Sequence, residues 1–332
     1  MSSSRADATP RSTSFRPVQR SGWARIRYFF YDPENGAIFT RTPKSWFLIF
    51  FFYLVFYISL GTFWMSLFQI ALTTMNTEKP KLTLDHSLIG SNPGVGVHPG
   101  QASGLVTSSL FYVRGNWNQK GTLNVKEDSD AGYAARMQKF FNETYVNGQD
   151  VAVTCNESEL ARPRPVGEKP CRFEPIVFGD CALFPFGFFA TNLKPCVILK
   201  MNKIFNLVPV PFTTEDAAMM DDLPQNLRPF IGNPIHPRRI YVDCQGERSE
   251  DKVALTNNIK YFPSDQGIPL GYFPHLTSSM SASPGVAVQF INIPRGQVIH
   301  VECRLWFKEV VHDPLENVGM SKFSILIDHV EV

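Results

Sequence analysis

No cysteine occurs before residue 155, no charged residue lies between Ser45 and Thr77, and neither sign of charge is in real excess over the whole chain. Each absence excludes something. Lys+Arg number 32 against Asp+Glu 30, a net charge of only +2, and nucleic-acid binding needs a clustered basic excess. There is no C-x-x-C pair and no His at zinc-finger spacing, so a structural zinc site is not expected. G-x-S-x-G, H-E-x-x-H and G-x-x-x-x-G-K-[ST] are all missing, which removes the common signatures of hydrolases, metalloproteases and nucleotide-binding loops. Gly94-Val-Gly-Val-His-Pro-Gly100 has the wrong spacing for a dinucleotide loop and no strand-loop-helix unit around it. His86, His98, His236, His275, His300, His312 and His329 are scattered and read as surface or turn residues rather than catalytic bases. No catalytic residue, cofactor or metal ligand is expected.

The charge that is present is unevenly placed. Residues 1–44 hold Arg5, Arg11, Arg16, Arg20, Arg25, Arg27, Arg41 and Lys44 against Asp7, Asp32 and Glu34, a local +5 that leaves −3 for the remainder. The charge-free run follows at once, opening Trp46-Phe-Leu-Ile-Phe-Phe-Phe-Tyr53 and continuing through Met75. About 20 apolar residues cross the hydrocarbon core of a bilayer. This run is longer, so a tilted or projecting helix is expected, with Trp46 as an interfacial anchor. The positive-inside rule places the basic tail in the cytoplasm and everything after the span outside the cell. A run this long, preceded by 44 residues, is an uncleaved signal anchor rather than a cleaved signal peptide. The chain therefore divides into a cytoplasmic tail at 1–45, a transmembrane signal-anchor helix at 46–75 and an extracellular domain at 76–332. Within the tail, the Ser-, Arg-, Thr- and Pro-rich residues 1–22 are expected to be disordered. Trp23 to Trp46 forms a basic-aromatic approach to the bilayer.

All six cysteines, Cys155, Cys171, Cys181, Cys196, Cys244 and Cys303, lie beyond the span. An even number confined to one region indicates three disulfides formed in an oxidising compartment, in agreement with the orientation. The cysteines alone leave the pairing open.

Pro80 to Gly104 reads as an extended stalk or a strap along the surface. Ser129 to Tyr145 is the one helix expected beyond the span, with Asp130 as its cap and Tyr133, Met137, Phe140, Phe141 and Tyr145 as an apolar stripe facing the core. The rest is strand-like. Ile240, Val242 and Cys244 alternate onto one face, as do Ile299, Val301, Cys303, Leu305 and Phe307, while Asp243, His300, Glu302 and Arg304 point away. Cys244 and Cys303 thus both face inward, as a bond between two packed sheets would require. Val286 to Ile293 and Phe323 to Val332 add two strands. Short strands separated by Pro/Gly turns predict a mainly-β, antiparallel Ig-like β-sandwich with one helix, stapled by disulfides. No Trp lies between Cys244 and Cys303, so the antibody-type hallmark is missing and the topology is free to differ.

Two N-glycosylation sequons occur, Asn142-Glu-Thr144 and Asn156-Glu-Ser158, and a secreted domain makes both plausible acceptors. Within the span, Tyr53, Tyr57 and Gly61 recur at every fourth residue and share one helix face. Two hydroxyls beside a small residue suit contact with another helix, because hydroxyls in lipid seek partners. Lipid-facing aromatics are the plain alternative.

Five elements occur in order. They are Arg41-Thr-Pro-Lys-Ser-Trp46, Phe52-Tyr-Leu-Val-Phe-Tyr57, Lys194-Pro-Cys-Val-Ile-Leu-Lys-Met-Asn-Lys203, Gly267-Ile-Pro-Leu-Gly-Tyr-Phe-Pro274 and Val286-Ala-Val-Gln-Phe290. Together with one span and six cysteines, they resemble the family of beta subunits of the sodium/potassium-transporting ATPase. The similar family elements are R-T-x-x-S-W, F-Y-x-x-F-Y, K-P-C-x-x-x-K-x-N-R, G-x-P-L-x-Y-Y-P and L-A-V-Q-F. The resemblance implies a non-catalytic partner of a P-type cation pump. Such a subunit assists folding, assembly and plasma-membrane delivery of the catalytic alpha subunit and modulates potassium affinity. It further implies that Tyr53 and Tyr57 face the alpha subunit, that a small regulatory membrane subunit is a further partner, and that the cysteines pair as Cys155–Cys171, Cys181–Cys196 and Cys244–Cys303. The span carries no charge and so no ion pathway of its own. A beta subunit of a proton/potassium pump and a type II adhesion or receptor ectodomain remain as alternatives. Tyr272-Phe-Pro-His-Leu276 departs from the family's Y-Y-P-Y-Y-G and loses three aromatic hydroxyls.

Overall fold

A computed structural model describes residues 21–33, 36–39, 41–76, 79–100, 109–113, 130–188, 193–233, 238–276, 284–316 and 318–327. The expectation for residues 1–22 falls almost wholly outside the described residues. So does the end of the last strand. The chain forms two compact units, Met1–Met75 and Asn76–Val332.

In the first unit, helix α1 (Gly22–Phe30) leads into a small hairpin of β1 (Tyr31–Asp32) and β2 (Ala37–Ile38). Phe29, Phe30 and Phe39 meet edge to face with ring centroids 5.3 to 5.8 Å apart. Helix α2 (Pro43–Thr73) follows. Its start is set by Thr42, whose hydroxyl accepts from the Ser45 N–H at 3.4 Å, and by Pro43 in the first turn, where a missing N–H costs nothing. The Trp46 indole N–H donates to the Ile38 carbonyl at 2.8 Å, tying hairpin to helix. At 31 residues the helix is about 47 Å long, against about 30 Å for a hydrocarbon core. Among the described residues none of its side chains is buried, the opposite of a soluble core helix.

The second unit contains, in order, β3 (Val95–His98), β4 (Ser109–Val113), α3 (Asp130–Phe141), α4 (Glu157–Leu160), β5 (Cys196–Met201), α5 (Thr214–Met219), β6 (Arg239–Gly246), α6 (Ser249–Leu255), β7 (Ile259–Phe262), β8 (Gly267–Pro269), β9 (Gly285–Phe290), β10 (Val298–Trp306) and β11 (Met320–Ile327). They make two sheets, β4-β11-β10-β6-β8 and β3-β5-β9-β7. Every ladder is antiparallel except β4–β11, which is parallel. The inward rows of both sheets share one core, in which Ile240, Val242, Ile299, Val301 and Leu305 from one sheet join Val197, Leu199, Val286 and Val288 from the other. The segment expected as a stalk supplies β3 as an edge strand on β5. Helix α3 begins at Asp130 itself and runs into a wider π-type turn at Asn142–Val146, so Asp130 is its first helical residue rather than its cap. The five stripe residues are all buried. The short helices α4, α5 and α6 carry only weak periodicity; capping boxes hold α4 and α5, and in α6 Asp251 accepts the Arg248 N–H at 3.3 Å.

The outer faces of the sandwich are also covered, which alternation alone does not reveal. On one side α3 packs over the second sheet, where Phe140 stacks on His98 with centroids 4.0 Å apart and Lys200 Nζ lies 5.1 Å from the same ring. On the other side Phe212, Ala217, Leu223, Leu227 and Ile231 pack on Tyr241 and Trp306, which are paired neighbours on β6 and β10. Asp243 and Glu302, expected to face solvent, are buried at 8% and 6% exposure. Each keeps polar partners. Asn226 donates to Asp243 Oδ1 at 2.7 Å, and Glu302 pairs with Arg304 at 2.5 Å and Lys322 at 3.5 Å. Burial pushes the Asp243 carboxyl above the usual carboxylate range, against the hydrogen bonds from Asn226 and Tyr261.

The disulfides are Cys155–Cys171, Cys181–Cys196 and Cys244–Cys303. The last differs from expectation. Cys244 and Cys303 face each other in register on adjacent strands β6 and β10, with Cα atoms 4.0 Å apart, so the bond lies within one sheet rather than between two. Inward alternation is the same in both cases, which is why sequence could not separate them. A directly opposed, non-hydrogen-bonded antiparallel pair is close enough for a disulfide.

Candidate functional site

The face of α2 singled out by spacing is a continuous surface. Tyr53 and Tyr57 lie ring over ring, with centroids 6.1 Å apart and planes 24° apart. Phe50, Tyr53, Leu54, Tyr57 and Ile58 line a shallow apolar groove along the helix. One turn on, a Cβ added at Gly61 would meet nothing within 4 Å, so the helix presents a flat step beside the two rings. The span's other hydroxyls are satisfied internally. Ser59, Thr62 and Ser66 donate to the carbonyls of Val55, Ile58 and Thr62, each at 2.8 Å. A Tyr hydroxyl reaches past its own backbone and has no such option. Tyr53 and Tyr57 are 50% and 62% exposed on this face.

Both sequons are accessible. Asn142 is exposed at the start of the π-type turn, and its Oδ1 accepts from Gln138 Nε2 at 3.0 Å. Asn156 is exposed beside Cys155 and caps α4, its Oδ1 accepting the Glu159 N–H at 2.9 Å. In each case the bond engages the oxygen and not the amide nitrogen, the atom that would carry a glycan.

In the segment that departs from the family pattern, exposure alternates: Tyr272, Pro274 and Leu276 are half-buried, while Phe273 and His275 are inside. Phe273 is wholly buried and His275 is 2% exposed. The replacements at 273 and 275 are thus core substitutions, and a partner would meet only Tyr272, Pro274 and Leu276. Of the histidines read as surface or turn residues, His275 lies inside and His98 is half-buried. Burial, with Lys203 near one and Lys200 near the other, lowers each imidazole to a pKa of about 4. Near Cys181 in sequence, Ile176, Leu183 and Phe184 are 80%, 67% and 59% exposed.

Among the described residues no three of His, Cys, Asp and Glu converge as metal ligands, and all six cysteines are consumed in disulfides. What the chain offers is contact area, in the span and on the folded domain.

Known proteins place that surface in context. A family model described as "Sodium / potassium ATPase beta chain" matches residues 16–324. Sodium/potassium-transporting ATPase subunit beta-1 of Drosophila melanogaster is 33% identical over 302 residues, covering 90% of this chain and 91% of the relative. Subunit beta-2 of the same organism is 30% identical over 320 residues, covering 94% and 95%. The potassium-transporting ATPase subunit beta of Mus musculus is 24% identical over 323 residues, covering 92% and 95%. With that match running from before the span to the last strand, the chain belongs to the sodium/potassium ATPase beta chain family.

Proposed function

We propose that this chain is the non-catalytic beta subunit of a sodium/potassium-transporting P-type ATPase. The observation that carries the reading is the family match over residues 16–324, joined to a single charge-free span and a disulfide-stapled domain. In this reading the catalytic alpha subunit performs ATP hydrolysis and ion transport. The beta subunit binds it through the Tyr53/Tyr57/Gly61 face in the bilayer and through its folded domain outside. It stabilises the folded alpha subunit, permits its delivery to the plasma membrane and modulates potassium affinity. The basic tail lies in the cytoplasm and the disulfide-bonded domain outside, with glycans on Asn142 and Asn156. A small regulatory membrane subunit joins the same complex.

Two relatives named as sodium/potassium subunits stand at 33% and 30% identity, against 24% for the one named for potassium transport alone, which favours the sodium/potassium pump. The test is affinity purification of the full chain in mild detergent with identification of co-purifying proteins. A multi-span P-type ATPase in near-equal amount is expected. Its absence would overturn the assignment, and recovery of a proton-pumping isoform instead would correct the ion.

A further inference from the structure

Soon after α2 the chain makes a tight turn whose tip is apolar. The Gly90 N–H donates to the Ser87 carbonyl at 3.2 Å, closing a turn over Leu88 and Ile89. Gly90 adopts a φ of +67° that suits glycine. Turn tips ordinarily carry Gly, Asn, Asp, Pro or Ser. Here Leu88 is 106% exposed and Ile89 73%, with Leu82 at 58% nearby in sequence.

This exposure is held in place. Leu84, four residues before Leu88, packs against the core. The Ser87 N–H and hydroxyl donate to the Leu84 carbonyl at 2.9 and 2.8 Å, and the Ser91 hydroxyl donates to Asp85 at 2.7 Å. Asn92 exchanges two bonds with the backbone of Val311, at 2.7 and 3.2 Å. The loop thus buries one of its leucines and presents two other large aliphatic side chains on a braced support.

We propose that the Leu88–Ile89 turn inserts into the headgroup–acyl boundary of the outer leaflet. Lipid is the chosen occupant for two reasons. First, Leu88 is only 15 residues beyond Thr73, the last residue of α2, a tether of at most about 50 Å even if fully extended. Second, Lys79 and Lys81 are exposed on the same tether, where ammonium groups meet lipid phosphates while aliphatic side chains enter below them.

The proposal rests on the membrane-anchored reading, and the test separates the two. All six native cysteines are bonded, so an introduced cysteine is the single free thiol of the full chain. Nitroxide labels at Leu88→Cys, Val55→Cys in α2, and Val253→Cys in α6 are compared in phosphatidylcholine nanodiscs. Collision with oxygen reports lipid, and collision with a water-soluble nickel chelate reports solvent. Residue 253 follows β6 at the end of the sheet opposite Asn92 and Val311, and is 76% exposed. The expected result is oxygen-dominated collision at 55 and 88 and nickel-dominated collision at 253. A further variant, Leu88→Asp with Ile89→Asp, should raise nickel accessibility of a label at Leu82→Cys at least twofold. Nickel-dominated collision at 88 with lipid at 55 overturns the docking alone. Exclusion of both reagents at 88, the signature of a protein contact, overturns it as well. Solvent at 55 overturns anchoring and docking together.

Discussion

The backbone N–H of Cys244 donates to the hydroxyl of Tyr261 at 2.9 Å, across from one sheet to the other. The same hydroxyl lies 3.2 Å from Asp243 Oδ1 and from the Cys244 carbonyl. Strand β8 pairs with β6 as far as Tyr241 and the Val242 N–H still donates to the Gln266 carbonyl at 3.0 Å, so the ladder edge of β6 opens at Cys244, where Tyr261 on β7 fills the gap. With Cys244 bonded to Cys303 inside its own sheet, this hydroxyl is a direct polar link between the layers. Tyr261→Phe keeps the ring and removes the link, leaving a buried N–H unsatisfied. A loss of about 1–3 kcal/mol is expected, read as a lower urea midpoint for the full chain in detergent. An unchanged midpoint would mean that water replaces the hydroxyl.

Cys244→Ser and Cys303→Ser should each be severely disruptive, and the double variant little worse than either. The bond closes a loop with a sequence separation of 59 residues, and losing such a bond typically costs about 2–5 kcal/mol. The measurement is surface expression of the full chain. Normal surface levels for both single variants would contradict the importance assigned to the bond.

His275 gives the fold a defined acid sensitivity. Its pKa falls from 6.5 to about 4 on folding, through burial first and Lys203 second. As pH drops, the unfolded chain takes up this proton before the folded one does. The contribution is therefore complete above pH 6.5 and is lost towards pH 4, amounting to up to about 3 kcal/mol. His98 acts in the same direction. His275→Phe should flatten the stability-against-pH curve between these limits, with the remaining slope due largely to His98. An unaltered curve in thermal melts from pH 7 to 4 would rule out this origin.

On the membrane face, single Tyr53→Phe or Tyr57→Phe changes should be mild, because each intramembrane hydrogen bond contributes about 0.6–2 kcal/mol. Replacing both Tyr with Leu, or Gly61 with Leu, should lower the detergent stability of the complex or change ion affinity without harming the extracellular domain. Val55 and Ser59 on the opposite face serve as controls. Equal tolerance on both faces would return the tyrosines to ordinary lipid contact.

Orientation and glycosylation are tested together. Protease on intact cells should remove a C-terminal tag and spare an N-terminal one. Thr144→Ala and Ser158→Ala should each abolish one glycosidase-sensitive mobility step. Changing Ser158 rather than Asn156 matters, since Asn156 also caps α4, and losing a cap costs about 1 kcal/mol by itself. Two unshifted bands would remove both glycans from the account.

Sequence by itself determined what depends on local composition and period. A charge-free run can end only in a helix too apolar for water, and α2 spans Pro43–Thr73. Period-2 alternation located β6 and β10, and the helical stripe from Tyr133 to Tyr145 located α3 and the face it buries. Tertiary structure alone decided what depends on which segments meet. Alternation shows that Cys244 and Cys303 turn inward but not that their strands are neighbours. It cannot show that the segment around Leu223, Leu227 and Ile231 would pack on Tyr241 and Trp306 and bring Asn226 to the buried Asp243. Nor can it show that His275 would be carried inside with Phe273, or that the Tyr261 hydroxyl would reach the open edge at Cys244. Each of these joins residues distant in sequence through packing, and a single chain read by its local pattern carries no record of such pairings.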